Sequence, residues 1–135
     1  MLGNDVVEVS FKIGSSVSYK AGDYVFLNVP AVSFLQWHPF SVTSAPSAHD
    51  RRVFFHLKSC GTGSWTQAVI EEALKQGGAI LKVRLDGFYG VNNGICEKLQ
   101  DAKDGVILVG GGIGVTPSES FICAALHLYI ISGKR

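Results

Sequence analysis

Alternating apolar and polar positions predict β-strands in the first half of the chain. Val6–Ile13, Tyr24–Val29 and Arg52–Lys58 each alternate with a period of two, and glycine or proline lies between them. A further extended run, Trp37–Pro46, contains Pro39, which keeps the preceding residue out of the helical region and is tolerated only at a sheet edge or rim. Strands at this spacing predict a small antiparallel Greek-key barrel.

Two further features of the barrel follow from the connections. Ser47–Asp50 is a short link between the Trp37–Pro46 run and the next strand, which predicts an antiparallel hairpin of the two. Ala79–Leu85 is predicted to be the closing strand, and Asp86–Gly90 the bend that follows it.

A glycine-rich turn and a helix separate the last two of these strands. Apolar positions at helical spacing within Gln67–Gln76 predict a helix over residues 64–76 that starts at Ser64 or Thr66. Gly61–Gly63 comes directly before it. Such a turn presents free backbone N–H groups and the positive end of the helix dipole, which suits a phosphate. A capped helix without a ligand is the alternative.

A second glycine turn lies late in the chain. Val106–Val109 is entirely apolar, which predicts a fully buried strand, and it runs straight into Gly110–Pro117. Glycines let a backbone approach a pyrophosphate, and Pro117 suits the first turn of the following helix, so this order is typical of dinucleotide binding. Ser118–Ala125 is then predicted to form two helical turns, and Leu126–Ser132 a second strand.

Length and charge limit the interpretations. A chain of 135 residues that is 47% hydrophobic has room for one ordinary domain and not for two complete ones. The net charge of +1 gives no basic surface for nucleic acid. Phe121–Ile131, the longest apolar run, has about 11 residues against the roughly 20 that cross a bilayer, and Met1–Gly14 has no signal-peptide pattern. The cysteines lack metal-ligand or CxxC spacing, which predicts unpaired thiols in a reducing compartment: Cys60, Cys96 and Cys123.

The main candidate chemistry lies in the Trp37–Pro46 run. Phe40 and Ser41 place a planar ring and a hydroxyl at successive positions, and such a pair can contact the face and the edge of a flat heteroaromatic ligand. His38 adds a ring that is able to carry a positive charge. The alternative is an ordinary half-buried strand whose histidine is hydrogen-bonded within the protein and binds no ligand.

The residues that surround this pair resemble a known family. His38–Ser41, followed by Thr43–Pro46, resembles the flavin-binding motif of the NADPH oxidase and ferric reductase family, a membrane-linked branch of the ferredoxin-NADP reductase type. Ala21–Ser33 resembles the same family, and its oxidases more than its iron reductases. Gly63–Thr66 resembles the family's pyrophosphate turn, with a serine where an acidic residue is usual. Gly112–Pro117 resembles its NAD(P)-binding turn.

The resemblance also implies a fold class, mainly β plus α/β. It consists of a Greek-key FAD-binding barrel followed by the start of a Rossmann-like NAD(P)-binding domain. The expected domains are 1–90, with the helix 64–76, and 106–135, joined by a linker 91–105 that has a helical turn around Cys96–Leu99. Against the family, the chain starts at the second strand of the barrel and its nucleotide domain stops early, so a truncated product is expected. Phe88 stands where the family's bend after the barrel has a proline.

Roles for single residues follow from the resemblance alone. Phe40 would pack on the isoalloxazine of FAD, and Ser41 would hydrogen-bond the flavin near N5, which makes it the catalytic candidate. His38 and Thr66 would lie toward the pyrophosphate. The other residues implied in binding FAD or NADPH are Pro39, Gly63, Ser64, Trp65, Gly110, Gly112, Gly114, Thr116 and Pro117.

The activity that the resemblance implies is hydride transfer from NADPH to FAD, with electrons passed to haem and then to oxygen. The partner would be a haem-carrying membrane domain, and the site would face the cytosol. Three alternatives remain open: a ferric-chelate reductase, a soluble reductase that serves a small carrier protein, and a non-catalytic flavin-binding fragment.

Overall fold

The computed structural model describes residues 5–47, 50–77, 82–90, 98 and 105–131. Most of the ordered elements follow the predicted pattern, and Ser64 caps the first helix as expected. The strands are β1 (Val6–Lys12), β2 (Tyr24–Asn28), β3 (His38–Ser41), β4 (Arg52–Lys58) and β5 (Arg84–Tyr89). The helices are α1 (Trp65–Lys75) and α2 (Thr116–Ile131), and a 3₁₀ turn, Gly112–Val115, precedes α2.

The strands form two antiparallel sheets in the described part of the chain, and neither closes into a barrel. One sheet pairs β1 with β4, and the other has the order β3-β2-β5. The ladder partner of β4 is therefore β1, and the predicted hairpin between the β3 run and β4 is reduced to hydrogen bonds at the end of that run. Past β3 the chain crosses to the other sheet, where Thr43 N donates to Phe54 O over 3.0 Å.

The core lies between the sheets and α1. In β4 the inward positions Val53, Phe55 and Leu57 are buried, while the outward ones are partly or fully exposed. Each fully buried apolar side chain of this size contributes about 1.5–3 kcal/mol to the free energy of unfolding. The remaining core residues are Val25, Leu27, Val29, Val42, Trp65 and Val69.

The last strand of this region lies further along the chain than predicted. Residues 84–89 form β5, which includes most of the expected bend, whereas residues 79–81 lie outside the described residues. A register shift against β2 occurs at Gly87, whose φ of 123° favours glycine. Phe88 stacks on Tyr19 at 5.1 Å between ring centroids. An aromatic contact therefore holds this segment, in which Phe88 stands where the family has a proline.

Two predictions for the C-terminal part are wrong. Val106–Val109 is neither a strand nor buried, and Ile107 and Val109 are each 90% exposed. A buried strand needs neighbours on both sides, and no described strand pairs with this run. The strand predicted from Leu126 is instead helical, because α2 continues to Ile131 through a segment that contains no glycine or proline. The helical turn predicted around Cys96–Leu99 lies outside the described residues, apart from Lys98.

Among the described residues, no helix is long and apolar enough to cross a membrane. No group of three or more His, Cys, Asp or Glu in that part of the chain is arranged to hold a metal ion. Cys60 and Cys123 are exposed free thiols, and Cys96 lies outside the described residues.

At pH 8 the Cys123 thiol on α2 is expected to react with iodoacetamide more slowly than free cysteine does. The Cys123 residue is exposed, but neighbouring atoms partly desolvate its sulfur; this desolvation, and then the negative charge of Glu119, raise the pKa of the thiol, so less of it is the reactive thiolate. The rate should therefore rise at higher pH than for free cysteine, and Glu119→Gln should move the profile back toward lower pH. Mass spectrometry of a variant whose only cysteine is Cys123 measures this, and a profile that matches free cysteine would contradict it.

Candidate functional site

Two sequence motifs meet in an aromatic cluster. His38 and Phe40 lie two positions apart on β3, so they share one face of the strand. The His38 ring stacks on Trp65, with centroids 4.4 Å apart and planes 25° apart, and the Phe40 ring lies 5.9 Å from Trp65. Trp65 is the first residue of α1. The structure thus brings a cation-capable ring to the N-terminus of a helix.

The start of α1 is built to leave backbone N–H groups free. The Ser64 hydroxyl accepts a hydrogen bond from Gln67 N (3.2 Å), and Thr66 Oγ1 accepts one from Cys60 N (3.1 Å). The Thr66 side chain therefore closes the glycine turn. The N–H groups at the first two positions of the helix have no intrahelical acceptor. Together with the helix dipole they favour an anion at this end of α1.

The glycine turn itself leaves room beside the helix. Gly63 has a φ of 81°, which favours glycine, and no atom lies within 4 Å of the position that a Cβ would occupy. Ser64, the residue that replaces the family's acidic side chain, caps the helix through its oxygen. The substitution therefore leaves the backbone donors available.

Asn28 fixes the loop that leads into β3, and sequence reasoning missed this role. Its side chain is fully buried, and Nδ2 donates to Ser33 O (2.8 Å) and to Gln36 O (2.7 Å). These bonds hold the residues directly before His38. An asparagine at the end of an apolar strand and before Pro30 was the available signal, because a buried amide must find partners.

Ser41 and Pro39 lie on the opposite face of β3. Ser41 is half-buried and stands opposite Tyr24, and its hydroxyl makes no hydrogen bond to the described residues. That hydroxyl is free to donate to or accept from a ligand. Pro39 is exposed, and β3 is an edge strand of its sheet, as a proline requires.

Tyr19 holds the segment that follows β3, which is a second contribution that sequence reasoning missed. Its hydroxyl lies 3.0 Å from Ser44 Oγ and donates to Ala45 O over 2.9 Å. Burial raises the pKa of Tyr19, so the phenol keeps its proton at neutral pH and remains a donor. The Ser44 hydroxyl in turn accepts from Phe54 N (3.2 Å).

The second glycine turn folds back closely on itself. An ideal Cβ on Gly110 would lie 2.9 Å from Val115 Cα, so no larger residue fits without moving the backbone. Gly112 has a φ of 54°, and Gly114 N donates to Gly111 O over 3.0 Å. The absence of side chains at these positions permits the close turn.

The turn runs through a 3₁₀ segment into α2. Thr116 is buried, and its hydroxyl donates to Ile113 O (3.0 Å), while Pro117 lies in the first helical turn as predicted. Further along α2, the Ser120 hydroxyl donates to Ser44 O over 3.1 Å. The helix that follows the second glycine turn therefore contacts the segment that continues from Ser41.

Comparison with known proteins identifies relatives of this chain. A family model described as FAD-binding domain matches residues 1–93. NADPH oxidase 1 of Rattus norvegicus is 38% identical over 101 residues, which are 75% of this chain and 16% of the relative. Ferric reduction oxidase 5 of Arabidopsis thaliana is 36% identical over 122 residues, which are 90% of this chain and 16% of the relative. The chain thus spans about a sixth of the length of these relatives.

A solved structure gives the same answer for the fold. The flavohaem-like FAD/NAD-binding domain of nitric oxide dioxygenase from Vibrio cholerae superposes with a TM-score of 0.56 and 19% identity, over 96% of this chain and 53% of that one. At this identity the likeness concerns the fold. By its sequence and its fold, the chain belongs to the family of FAD-binding domains that it shares with the NADPH oxidases and ferric reductases.

Proposed function

We propose that this chain binds FAD and NADPH and forms the flavoprotein part of an oxidoreductase that takes hydride from NADPH and passes electrons to haem and then to oxygen. The observation that carries the proposal is the His38–Trp65 stack. It joins the β3 motif to the N-terminus of α1, so a single ligand with a flat ring and a pyrophosphate can touch both.

The residues at this place fit a flavin nucleotide. The free Ser41 hydroxyl and the half-buried Phe40 ring supply an edge contact and an apolar surface. The Gly63–Thr66 turn supplies backbone donors and the dipole for the pyrophosphate, and His38 supplies positive charge there when it is protonated. We assign these residues, with Pro39, to FAD.

The Gly110–Pro117 turn is assigned to NADPH. Its close backbone leaves space beside Gly111, Gly112 and Gly114, where a Cβ would meet nothing within 4 Å. Bound FAD would accept the hydride from NADPH and release electrons one at a time. The protein would hold and orient the two nucleotides. In this division residues 1–90 carry FAD and residues 106–135 begin the NADPH-binding part.

The electron acceptor is proposed from the relatives. The name of NADPH oxidase 1 implies oxygen as the electron acceptor, and we propose the same acceptor for this chain. We also propose a haem-containing membrane domain as its partner and the cytosolic face of the membrane as its location. Reduction of ferric iron is the second candidate, since the ferric reduction oxidase aligns over 90% of the chain. A flavin-binding fragment without turnover is the third, because the Val106–Val109 run has no strand partner among the described residues.

Absorbance spectroscopy of the purified chain tests the proposal directly. FAD is added, unbound flavin is removed by gel filtration, and NADPH is then added without oxygen. Retained flavin that NADPH bleaches supports the proposal. Retained flavin that stays oxidised supports the non-catalytic fragment, and no retained flavin refutes the proposal.

Ser41→Ala is expected to slow flavin reduction by NADPH about 3- to 10-fold, the worth of one hydrogen bond in the reaction barrier. FAD affinity should change less than the rate, because the ring and pyrophosphate contacts remain. Stopped-flow absorbance measures the rate, and Ser10→Ala on the exposed side of β1 is the matched control. Equal rates for Ser41→Ala and the wild type would contradict the role assigned to this hydroxyl.

A further inference from the structure

The first turns of α2 are fixed to the sheets by three successive residues. Ser120 is completely buried, and its hydroxyl accepts from Gly22 N (3.3 Å) while it donates to Ser44 O (3.1 Å). Phe121 packs against Gly22, where an ideal Cβ would lie 2.3 Å from the end of the ring. The residue before them, Glu119, reaches a histidine on β4.

That histidine, His56, lies between two carboxylates from different elements. Its Nδ1 is 3.2 Å from Glu119 Oε2 on α2, and its Nε2 is 3.5 Å from Glu8 Oε2 on β1. Only 12% of the His56 side chain is exposed, against 39% for Glu119 and 50% for Glu8. A protonated imidazole in this place attracts both carboxylates, and its partial burial weakens screening by salt.

The backbone makes His56 a rigid support. It stands directly opposite Glu8 in the β1–β4 ladder, a position in which cross-strand side chains interact. Its neighbours Phe55 and Leu57 point into the core. The ladder with β1 and the buried neighbours fix the orientation of β4. The imidazole therefore projects from the outer face of this strand toward α2.

We propose that Glu8, His56 and Glu119 form an electrostatic clamp that holds the first turns of α2 against the flavin-binding sheets. His56 is a positioning residue in this clamp. The clamp acts with Ser120 and Phe121, which supply the hydrogen bonds and the packing. Its consequence for the reaction rests on the proposed function, because α2 carries the Gly110–Pro117 turn assigned to NADPH.

The clamp makes α2 dependent on the flavin-binding sheets. The run before the turn, Val106–Val109, has no strand partner among the described residues, so it gives the turn no support from a sheet. The contacts of Glu119, Ser120 and Phe121 supply that support instead. Loss of the His56 imidazole should therefore loosen the amides of residues 116–126 while the core stays folded.

Hydrogen–deuterium exchange of the 135-residue chain tests this without any nucleotide. His56→Gln and Glu119→Gln are each expected to speed exchange of the 116–126 amides about 2- to 5-fold, the effect of a partly exposed ion pair on a local equilibrium. The double variant should exchange no faster than the faster single variant, because both changes remove one interaction. Raising the salt concentration to about 1 M should speed exchange in the wild type and leave the double variant unchanged.

Lys58→Gln is the matched control. It removes an ion pair of similar length on the same strand, 3.5 Å from Lys58 Nζ to Asp5 Oδ2, which has no part in the clamp. Exchange in 116–126 should match the wild type in this variant. The clamp is refuted if His56→Gln exchanges as the wild type does, if Lys58→Gln is equally fast, or if the effects of the single variants multiply. If His56→Gln does not fold, the exchange of residues 116–126 in Glu119→Gln decides whether the clamp exists.

The rate of flavin reduction by NADPH separates this inference from the proposed function. If exchange shows the clamp, and NADPH reduces the flavin of His56→Gln more slowly while its FAD affinity is unchanged, the positioning role of His56 is supported. A clamp without any change in rate overturns the positioning role and leaves the proposed function intact. If the wild type itself is not reduced, the proposed function fails, and exchange still decides the clamp.

Discussion

Trp65→Ala is expected to lower the free energy of unfolding by about 3–5 kcal/mol, the usual cost of removing a buried large aromatic side chain. Trp65 is 8% exposed and stacks on His38 while it lies against Phe40. The variant loses the contact of α1 with β3 as well as the burial of the indole. Chemical denaturation followed by circular dichroism measures the loss.

The second tryptophan provides the control. Trp37 stands one residue before β3 and is 41% exposed, so Trp37→Ala should cost less than about 1 kcal/mol. Trp65→Phe should recover most of the loss, because it keeps an apolar ring and removes the buried Nε1, which finds no acceptor among the described residues. A Trp65→Ala protein as stable as Trp37→Ala would show that the stack does not hold α1 in place.

The part of the fold that the sequence predicted is the part governed by local patterns. The alternation of β4 and the glycine-serine start of α1 each depend on a few neighbouring residues, and both were found where expected. The partner of β4 was not predicted correctly. A short loop suggested the run before it, whereas the chain crosses between sheets at Thr43. Pairing across a whole domain is decided by the combined burial of several strands, which no single loop reveals.

The errors at the C-terminal end have a different cause. Val106–Val109 has the composition of a buried strand, and such a strand forms only where neighbouring strands cover it. No described strand does so, and the run stays exposed. Leu126–Ile131 has no fixed period that separates helix from strand, so its continuity with α2 decided the outcome.

The sequence predicted the two motifs of the candidate site separately and did not predict that they contact each other. His38 was predicted to lie toward the pyrophosphate and Trp65 to belong to the pyrophosphate turn, and the fold stacks the two rings. The supporting residues were harder to find. Asn28 and Tyr19 hold the segments before and after β3 through side-chain bonds to distant carbonyls, and His56 meets Glu119 only because α2 folds onto β4. Apart from the position of Asn28 at the end of an apolar strand, such contacts have no local pattern in the sequence.

Phe40→Ala is expected to weaken FAD binding about 10- to 100-fold, the range typical of removing an aromatic surface from a stacked heterocyclic base. The ring lies on the same face of β3 as His38 and is half-buried, so one part packs toward Trp65 while another remains accessible. Titration of the chain with FAD, followed by flavin fluorescence or absorbance, measures the change.

Three further variants decide whether the planar ring causes the effect. Phe40→Tyr keeps the ring and should bind FAD as the wild type does, whereas Phe40→Leu keeps apolar bulk without a plane and should fall near Phe40→Ala. Phe34→Ala is the matched control, since that ring is 67% exposed and lies in the loop before β3. If Phe40→Leu binds FAD as tightly as the wild type, Phe40 acts only as apolar filling beside Trp65. The flavin would then have to be placed against another surface of the sheets.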